Sequence, residues 1–123
     1  MDSRFFQTFK LNKYTTRITG LAGENCYLVE GKERALLIDG LTGAGSLRAF
    51  VRELTDLPVI LALTHGHLDH TGAAWEYGEC FVHPADIPLM YSRQHSSQQS
   101  RFSFLSASMT GETQKRAGLK YED

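Results

Sequence analysis

LALTHGHLDHTGAA, residues 61–74, places three histidines and one aspartate within six positions, directly after an apolar run. Imidazole nitrogens and carboxylate oxygens are the ligands with which proteins hold zinc and related ions. Alternate residues of an extended backbone share one face, so His65 and His67 can reach one ion. Asp69 and His70 follow as the loop turns into a helix, and they can hold a second ion nearby. The stretch predicts a metal centre, with zinc favoured and iron or manganese as alternatives.

The chain before this motif has the pattern of strands followed by a helix. SLRAFVRELTDLP, residues 46–58, carries apolar residues at helical spacing, with Ser46 as an N-cap and Pro58 as a stop signal. VILALT, residues 59–64, is a continuous apolar run that is typical of a strand buried on both faces, which predicts a β, α, β unit with a parallel crossover. Four β-branched or aromatic runs predict an antiparallel meander: FFQTFKL (5–11), TTRITGL (15–21), NCYLVEG (25–31) and RALLIDG (34–40).

The chain after the motif gives weaker signals. We expect a short helix around residues 71–77 and then a strand over ECFVHP, residues 79–84. The polar stretch 92–108 predicts a helix with irregular flanks. The motif therefore follows the C-terminal end of a buried strand, where open α/β sheets commonly bind ligands.

THGHLDH, residues 64–70, resembles the H-x-H-x-D-H signature of the metallo-β-lactamase superfamily, and NCYLVEGKERALLIDG resembles its N-terminal strand pair. The resemblance covers about residues 20 to 90 and implies an α/β (α+β) fold, a metallo-β-lactamase-like αββα sandwich of two similar halves. The chain would be the N-terminal half, a single domain over residues 1–123 that is incomplete at its C-terminus. By this resemblance, His65 and His67 bind the first metal, Asp69 and His70 bind the second, and Asp39 braces the motif loop.

The resemblance implies a zinc-dependent hydrolase with two ions in a complete site. Zinc lowers the pKa of its water to roughly 7, giving a metal-bound hydroxide that attacks an ester, thioester, lactone, amide or phosphodiester. Asp69 is the expected catalytic residue, because it orients this nucleophile as well as binding metal.

The second half of such a sandwich contributes two further histidines and a bridging aspartate, and the sequence lacks their context. His83 and His95 are the only other histidines, and neither is expected to be a ligand. We favour an N-terminal fragment, with a natural truncation or a half-protein completed by another chain as alternatives. The alternative function is a catalytically incomplete metal-binding or assembly module.

Composition favours a soluble unit with a small-molecule substrate. The 13 basic and 14 acidic residues are interspersed, so neither nucleic acid nor a membrane surface is an expected partner. A cytoplasmic location is expected, with Cys26 and Cys80 as buried thiols and no disulfide.

GLTGAG, residues 40–45, lacks the later residues of a phosphate-binding loop and predicts a strand-to-helix turn. The apolar strands of a half sandwich also predict a homo-oligomer, unless the missing half covers them.

Overall fold

A computed structural model describes residues 3–92 and 98–108 of the chain. The described strands form one five-stranded sheet in the order β1-β2-β3-β4-β5. The strands are β1 Gln7–Lys10, β2 Thr15–Thr19, β3 Asn25–Glu30, β4 Ala35–Ile38 and β5 Val59–Ala62. The helices are α1 Leu47–Leu54, α2 Ala74–Tyr77, α3 Ile87–Met90 and α4 Gln98–Ser108, and a 3-10 turn over Pro84–Asp86 precedes α3. None of these helices is long and apolar enough to cross a membrane.

The topology confirms the meander and the crossover. β1 to β4 pair with their sequence neighbours in antiparallel fashion, whereas β5 pairs with β4 in parallel after α1. Because β4 and β5 run in the same direction, the segment after each of them emerges at the same edge of the sheet. This geometry brings the residues after β4 next to the histidine motif after β5.

Helix α1 begins as its sequence indicates. The Ser46 side chain accepts a hydrogen bond from the Ala49 N–H, and the helix ends at Leu54, before Pro58 is reached. Glu76, on α2, adds a second cap: its carboxylate accepts hydrogen bonds from the Ser46 hydroxyl and the Leu47 N–H. Each such cap satisfies a backbone or hydroxyl donor that the helix itself leaves unpaired.

The core lies on one face of the sheet, under α1. Cys26 is fully buried there, and both Cys26 and Cys80 are free thiols, Cys80 being half-buried. The thiol prediction therefore holds for Cys26 and in part for Cys80. The strand residues on this face that are buried completely are Ile18, Cys26, Leu28 and Leu37, with Leu61 at 1% exposure, and Leu47 and Val51 of α1 pack against them.

The opposite face of the sheet, here called the open face, carries apolar side chains that the described residues leave partly in solvent. Directly paired residues of neighbouring strands share a face. The exposed fraction of the residue is 57% for Phe9, 37% for Leu36 and 60% for Phe81. Two rows of paired residues define the face: Phe9, Arg17, Tyr27, Ile38, Ala62 and Phe81, and beside them Thr15, Val29, Leu36 and Ile60.

Three predictions of secondary structure need correction. β5 is not buried on both faces, because Val59, Ile60 and Ala62 are half-buried and Leu61 alone is buried. The expected strand over 79–84 is reduced to one bridge between Phe81 and Ala62, since the chain turns at once into the 3-10 helix that begins at Pro84.

The helix expected over 71–77 begins only at Ala74, because the N–H groups of Gly72 and Ala73 donate to the loop after β4. The helix expected within 92–108 is present as Gln98–Ser108. His95 lies outside the described residues.

Candidate metal centre

The motif loop rests on the loop that follows β4. The Gly40 N–H donates to the carbonyl of His70 at 2.8 Å, and the Gly72 N–H donates to the carbonyl of Leu41 at 2.7 Å. A Cβ atom at Gly72 would lie 2.1 Å from the backbone nitrogen of Gly43, so the two loops touch through glycine backbones. GLTGAG is thus the predicted strand-to-helix turn, and it also supports the motif.

Asp39 is buried at the end of β4 and contacts both ends of the motif loop. Its carboxylate accepts hydrogen bonds from the Thr64 N–H at 2.8 Å and from the Thr64 hydroxyl at 2.9 and 3.0 Å. The same carboxylate lies 2.9 Å from Nδ1 of His70. The structure therefore places Asp39 where a residue that braces the loop must lie.

Thr64 extends this contact to a second histidine. Its hydroxyl oxygen lies 2.9 Å from Nδ1 of His65. Because the hydroxyl proton is directed at Asp39, the hydroxyl oxygen is left to accept the N–H of His65. One carboxylate thus fixes the Nδ1–H form of two imidazoles, directly for His70 and through Thr64 for His65. In each ring Nε2 is left as the lone-pair donor that a metal requires.

The potential ligand atoms converge. His65, Asp69 and His70 each offer a nitrogen or carboxylate oxygen, and these atoms all lie within 4.8 Å of one another. The three side chains are half-buried. The rings of His65 and His70 are 4.1 Å apart between centroids. In this group His65 lies with Asp69 and His70. The sequence analysis instead paired His65 with His67 on one ion.

His67 stands at the border of this group. It is exposed, and its ring lies 5.0 Å from that of His65, edge to face. The structure thus gathers three of the four predicted ligands and places the fourth next to the first of them.

The donor set fits zinc. Two ligand atoms on one tetrahedral zinc ion, each bonded at about 2.0–2.2 Å, are about 3.3–3.5 Å apart. Nε2 of His70 and Oδ2 of Asp69 are separated by 3.4 Å. Nitrogen and carboxylate donors suit zinc as well as iron or manganese, and a carboxylate behind a ligating imidazole is common at such centres.

The buried thiol of Cys26 is unsuited to bind metal. Burial raises the pKa of Cys26, and the neighbouring carboxylates of Asp39 and Glu24 raise it further. A thiol must lose its proton to become a ligand, and this environment holds the proton in place.

The roles of two residues at the site, Thr64 and Asp86, could not be predicted from the sequence. Thr64 stands within the quoted stretch, but its spacing gives no hint that its hydroxyl joins His65 to Asp39. Asp86 accepts a hydrogen bond from the Gly66 N–H at 2.9 Å, and the two residues are 20 positions apart in sequence.

His83 is exposed and caps the 3-10 turn, because its Nδ1 accepts a hydrogen bond from the Ala85 N–H at 3.1 Å. It is not part of the ligand group.

Comparison with known families identifies the same region of the chain. The model of the metallo-beta-lactamase superfamily matches residues 19–100. Uncharacterized proteins of Mycobacterium tuberculosis and Mycobacterium bovis are 33% identical over 75 residues, a match that covers 54% of this chain and 34% of each relative.

Solved structures show the same fold. The DIM-1 metallo-β-lactamase superimposes with a TM-score of 0.61 and 15% identity, covering 73% of this chain and 48% of that one. A metallo-β-lactamase from Hirschia baltica gives a TM-score of 0.61 and 20% identity, with 74% of this chain and 49% of that one covered. The match thus spans about half the length of these structures.

Proposed function

The chain belongs to the metallo-β-lactamase superfamily, and from this premise we propose that it is a zinc-dependent hydrolase, or the part of one that carries the motif. The observation that carries the proposal is the convergence of His65, Asp69 and His70, whose ligand atoms lie within 4.8 Å of one another. Asp39 adds the support that such a centre needs, because its carboxylate orients both histidines of that group.

In this proposal the chain's own residues hold and orient the reacting groups. His65, His67, Asp69 and His70 hold the zinc ions, and Thr64 and Asp39 keep the imidazoles of His65 and His70 in the Nδ1–H form. When bound, zinc supplies a water that is acidic enough to ionise near neutral pH, and it polarises the bond under attack. The carboxylate of Asp69 has two acceptor oxygens, so it would have one oxygen to hold the metal and one to orient a water molecule.

The substrate we propose is a small molecule with an ester, thioester, lactone, amide or phosphodiester bond. All of these reactions pass through developing negative charge on an oxygen, which a divalent ion stabilises. Because the chain spans about half of the solved structures that it matches, catalysis by this chain alone is a separate question from metal binding. The same observation favours a second candidate, a metal-binding or assembly module without turnover.

Calorimetric titration with zinc tests the metal centre. We expect the purified chain to bind zinc, more weakly than a site completed by further ligands from a second half would. The double variant His65→Ala, His67→Ala should lose this binding. His83→Asn is the matched control, because it removes an imidazole outside the ligand group and keeps an oxygen that can cap the 3-10 turn. Absence of zinc binding, or equal binding by the double variant, contradicts the proposal.

Turnover separates the two candidates. The zinc-loaded chain is assayed with nitrophenyl esters, thioesters, lactones and a bis-nitrophenyl phosphodiester. Hydrolysis that disappears in the double variant and persists in His83→Asn supports the hydrolase. Zinc binding without turnover of any of these compounds supports the module.

A further inference from the structure

Gly66, which separates His65 from His67, is held by a side chain from a distant segment. Its N–H donates to Oδ2 of Asp86 at 2.9 Å. The backbones also approach closely, because a Cβ atom at Gly66 would lie 2.8 Å from the carbonyl oxygen of Asp86 and 3.1 Å from Cγ of Met90. The motif loop is therefore packed against the segment that contains the 3-10 turn and α3.

Asp86 is itself held firmly. Its N–H donates to the carbonyl of His83 at 2.9 Å, and Met90, four residues later, is buried in the core. Asp86 directly precedes α3, but its side chain makes no capping hydrogen bond to that helix. The carboxylate is directed to Gly66 instead.

We propose that Asp86 is a positioning residue for the metal centre, which fixes the backbone between the two histidines of the H-x-H pair. Glycine has more backbone freedom than any other residue, so a glycine between two ligands needs an external restraint to keep them aligned. The hydrogen bond from the Gly66 N–H to the Asp86 side chain supplies such a restraint. Asp39 holds the loop at Thr64 and His70, and Asp86 holds it between them.

The expected effect of Asp86 on zinc affinity rests on the zinc site proposed above. Zinc affinity is measured by competition with a chromogenic chelator for the wild-type chain, Asp86→Ala and Asp86→Asn. Asp86→Ala removes the acceptor, and we expect zinc to bind about 10-fold more weakly, as at other residues that orient ligands. Asp86→Asn keeps an oxygen that can accept the Gly66 N–H, and it should bind zinc nearly as the wild type does.

A second measurement makes the proposal independent of zinc. Amide hydrogen exchange of Gly66 in the metal-free chain should be faster in Asp86→Ala and restored in Asp86→Asn. Thermal unfolding of the metal-free variants shows whether the effect is confined to the loop, and we expect the midpoint of Asp86→Asn to match that of the wild type.

Each outcome has a distinct meaning. Unchanged zinc affinity and unchanged Gly66 exchange in Asp86→Ala overturn the proposal. Equal loss of affinity in both variants also overturns it, because the charge of Asp86 rather than its hydrogen bond would then matter. If the wild type binds no zinc while Gly66 exchange responds as expected, the zinc site fails and the loop restraint stands.

Discussion

Asp39 has a backbone φ of 73°, in the left-handed region that few residues other than glycine, asparagine and aspartate adopt. Such a conformation has a cost, and residues that adopt it are concentrated at functional sites. Here it accompanies a carboxylate that contacts Thr64 and His70 together. The local strain therefore coincides with the contacts that orient the candidate ligands.

Asp39→Asn is the substitution that isolates the charge at this position. Asparagine tolerates the positive φ and has nearly the same shape, but one of its two acceptor oxygens becomes an NH₂ group. We expect zinc affinity to fall by roughly 10- to 100-fold, as is typical when a residue behind a metal ligand is changed. Chelator competition measures the affinity, and wild-type affinity in this variant would mean that Asp39 is only a turn residue.

Residue types alone identify part of this site. The spacing of His65, His67, Asp69 and His70 marks them as candidate ligands, because such a density of metal-binding side chains is rare in a loop. Asp39 is found through its resemblance to a family position. Thr64 and Asp86 are not found, because their roles depend on contacts between segments that only the folded chain brings together.

At the scale of elements, the sequence predicts those whose pattern is local. All five strands lie within the β-branched, aromatic or apolar runs that predict them, and the main helix lies where helical spacing predicts it. The prediction is wrong over 79–84, where an apolar run forms a single bridge, since strand length depends on a partner and not on the run itself. The second cap of α1 could not be predicted either, because Glu76 is 29 residues from Leu47 in sequence and reaches it only in the folded chain.

Glu24 joins two loops, and this contact gives a pH-dependent prediction. Its carboxylate, in the loop before β3, accepts hydrogen bonds from Thr42 at 2.6 Å and from Ala22 at 2.9 Å. Burial raises its pKa above the ordinary value of 4.5, and the hydrogen bonds offset this only in part. The folded chain therefore holds the Glu24 proton more tightly than the unfolded chain does, so the stability contributed by this group is lost as pH rises through the raised pKa.

Glu24→Gln removes this titration and keeps the size of the side chain. The free energy of unfolding of the wild type, relative to the variant, should fall as pH rises above 4.5, and chemical denaturation at a series of pH values measures it. Other titrating groups cancel in the difference between the two proteins. Parallel stability curves for both proteins would show that Glu24 titrates normally.

At the scale of the whole molecule, the described residues leave the open face of the sheet partly in solvent. The two paired rows are apolar except at Thr15 and Arg17, and three of their residues are substantially exposed: Phe9, Leu36 and Phe81. Contiguous apolar surface beyond a few hundred Å² is rare on monomers. The sequence indicates such a face through its apolar strands, but which side of each strand is exposed follows only from the register.

We expect the 123-residue chain, studied by itself, to self-associate through the open face with a second copy as its occupant. A two-fold dimer would bury the same rows on both copies. Light scattering after size exclusion should give a mass of twice 13.8 kDa. Leu36→Glu with Ile60→Glu should yield a monomer, and Glu53→Gln on the exposed side of α1 should not. A monodisperse wild-type monomer that unfolds cooperatively would contradict the prediction.

Anomalous diffraction at the zinc edge is the sharpest test of whether the histidine and aspartate group is a metal centre. Crystals of the zinc-loaded chain should show an anomalous peak about 2.0–2.2 Å from Nε2 of His70 and from the carboxylate of Asp69. This peak should be absent from crystals of the Asp69→Ala, His70→Ala variant. Anomalous density only at other places on the surface, in crystals that contain zinc, would contradict it.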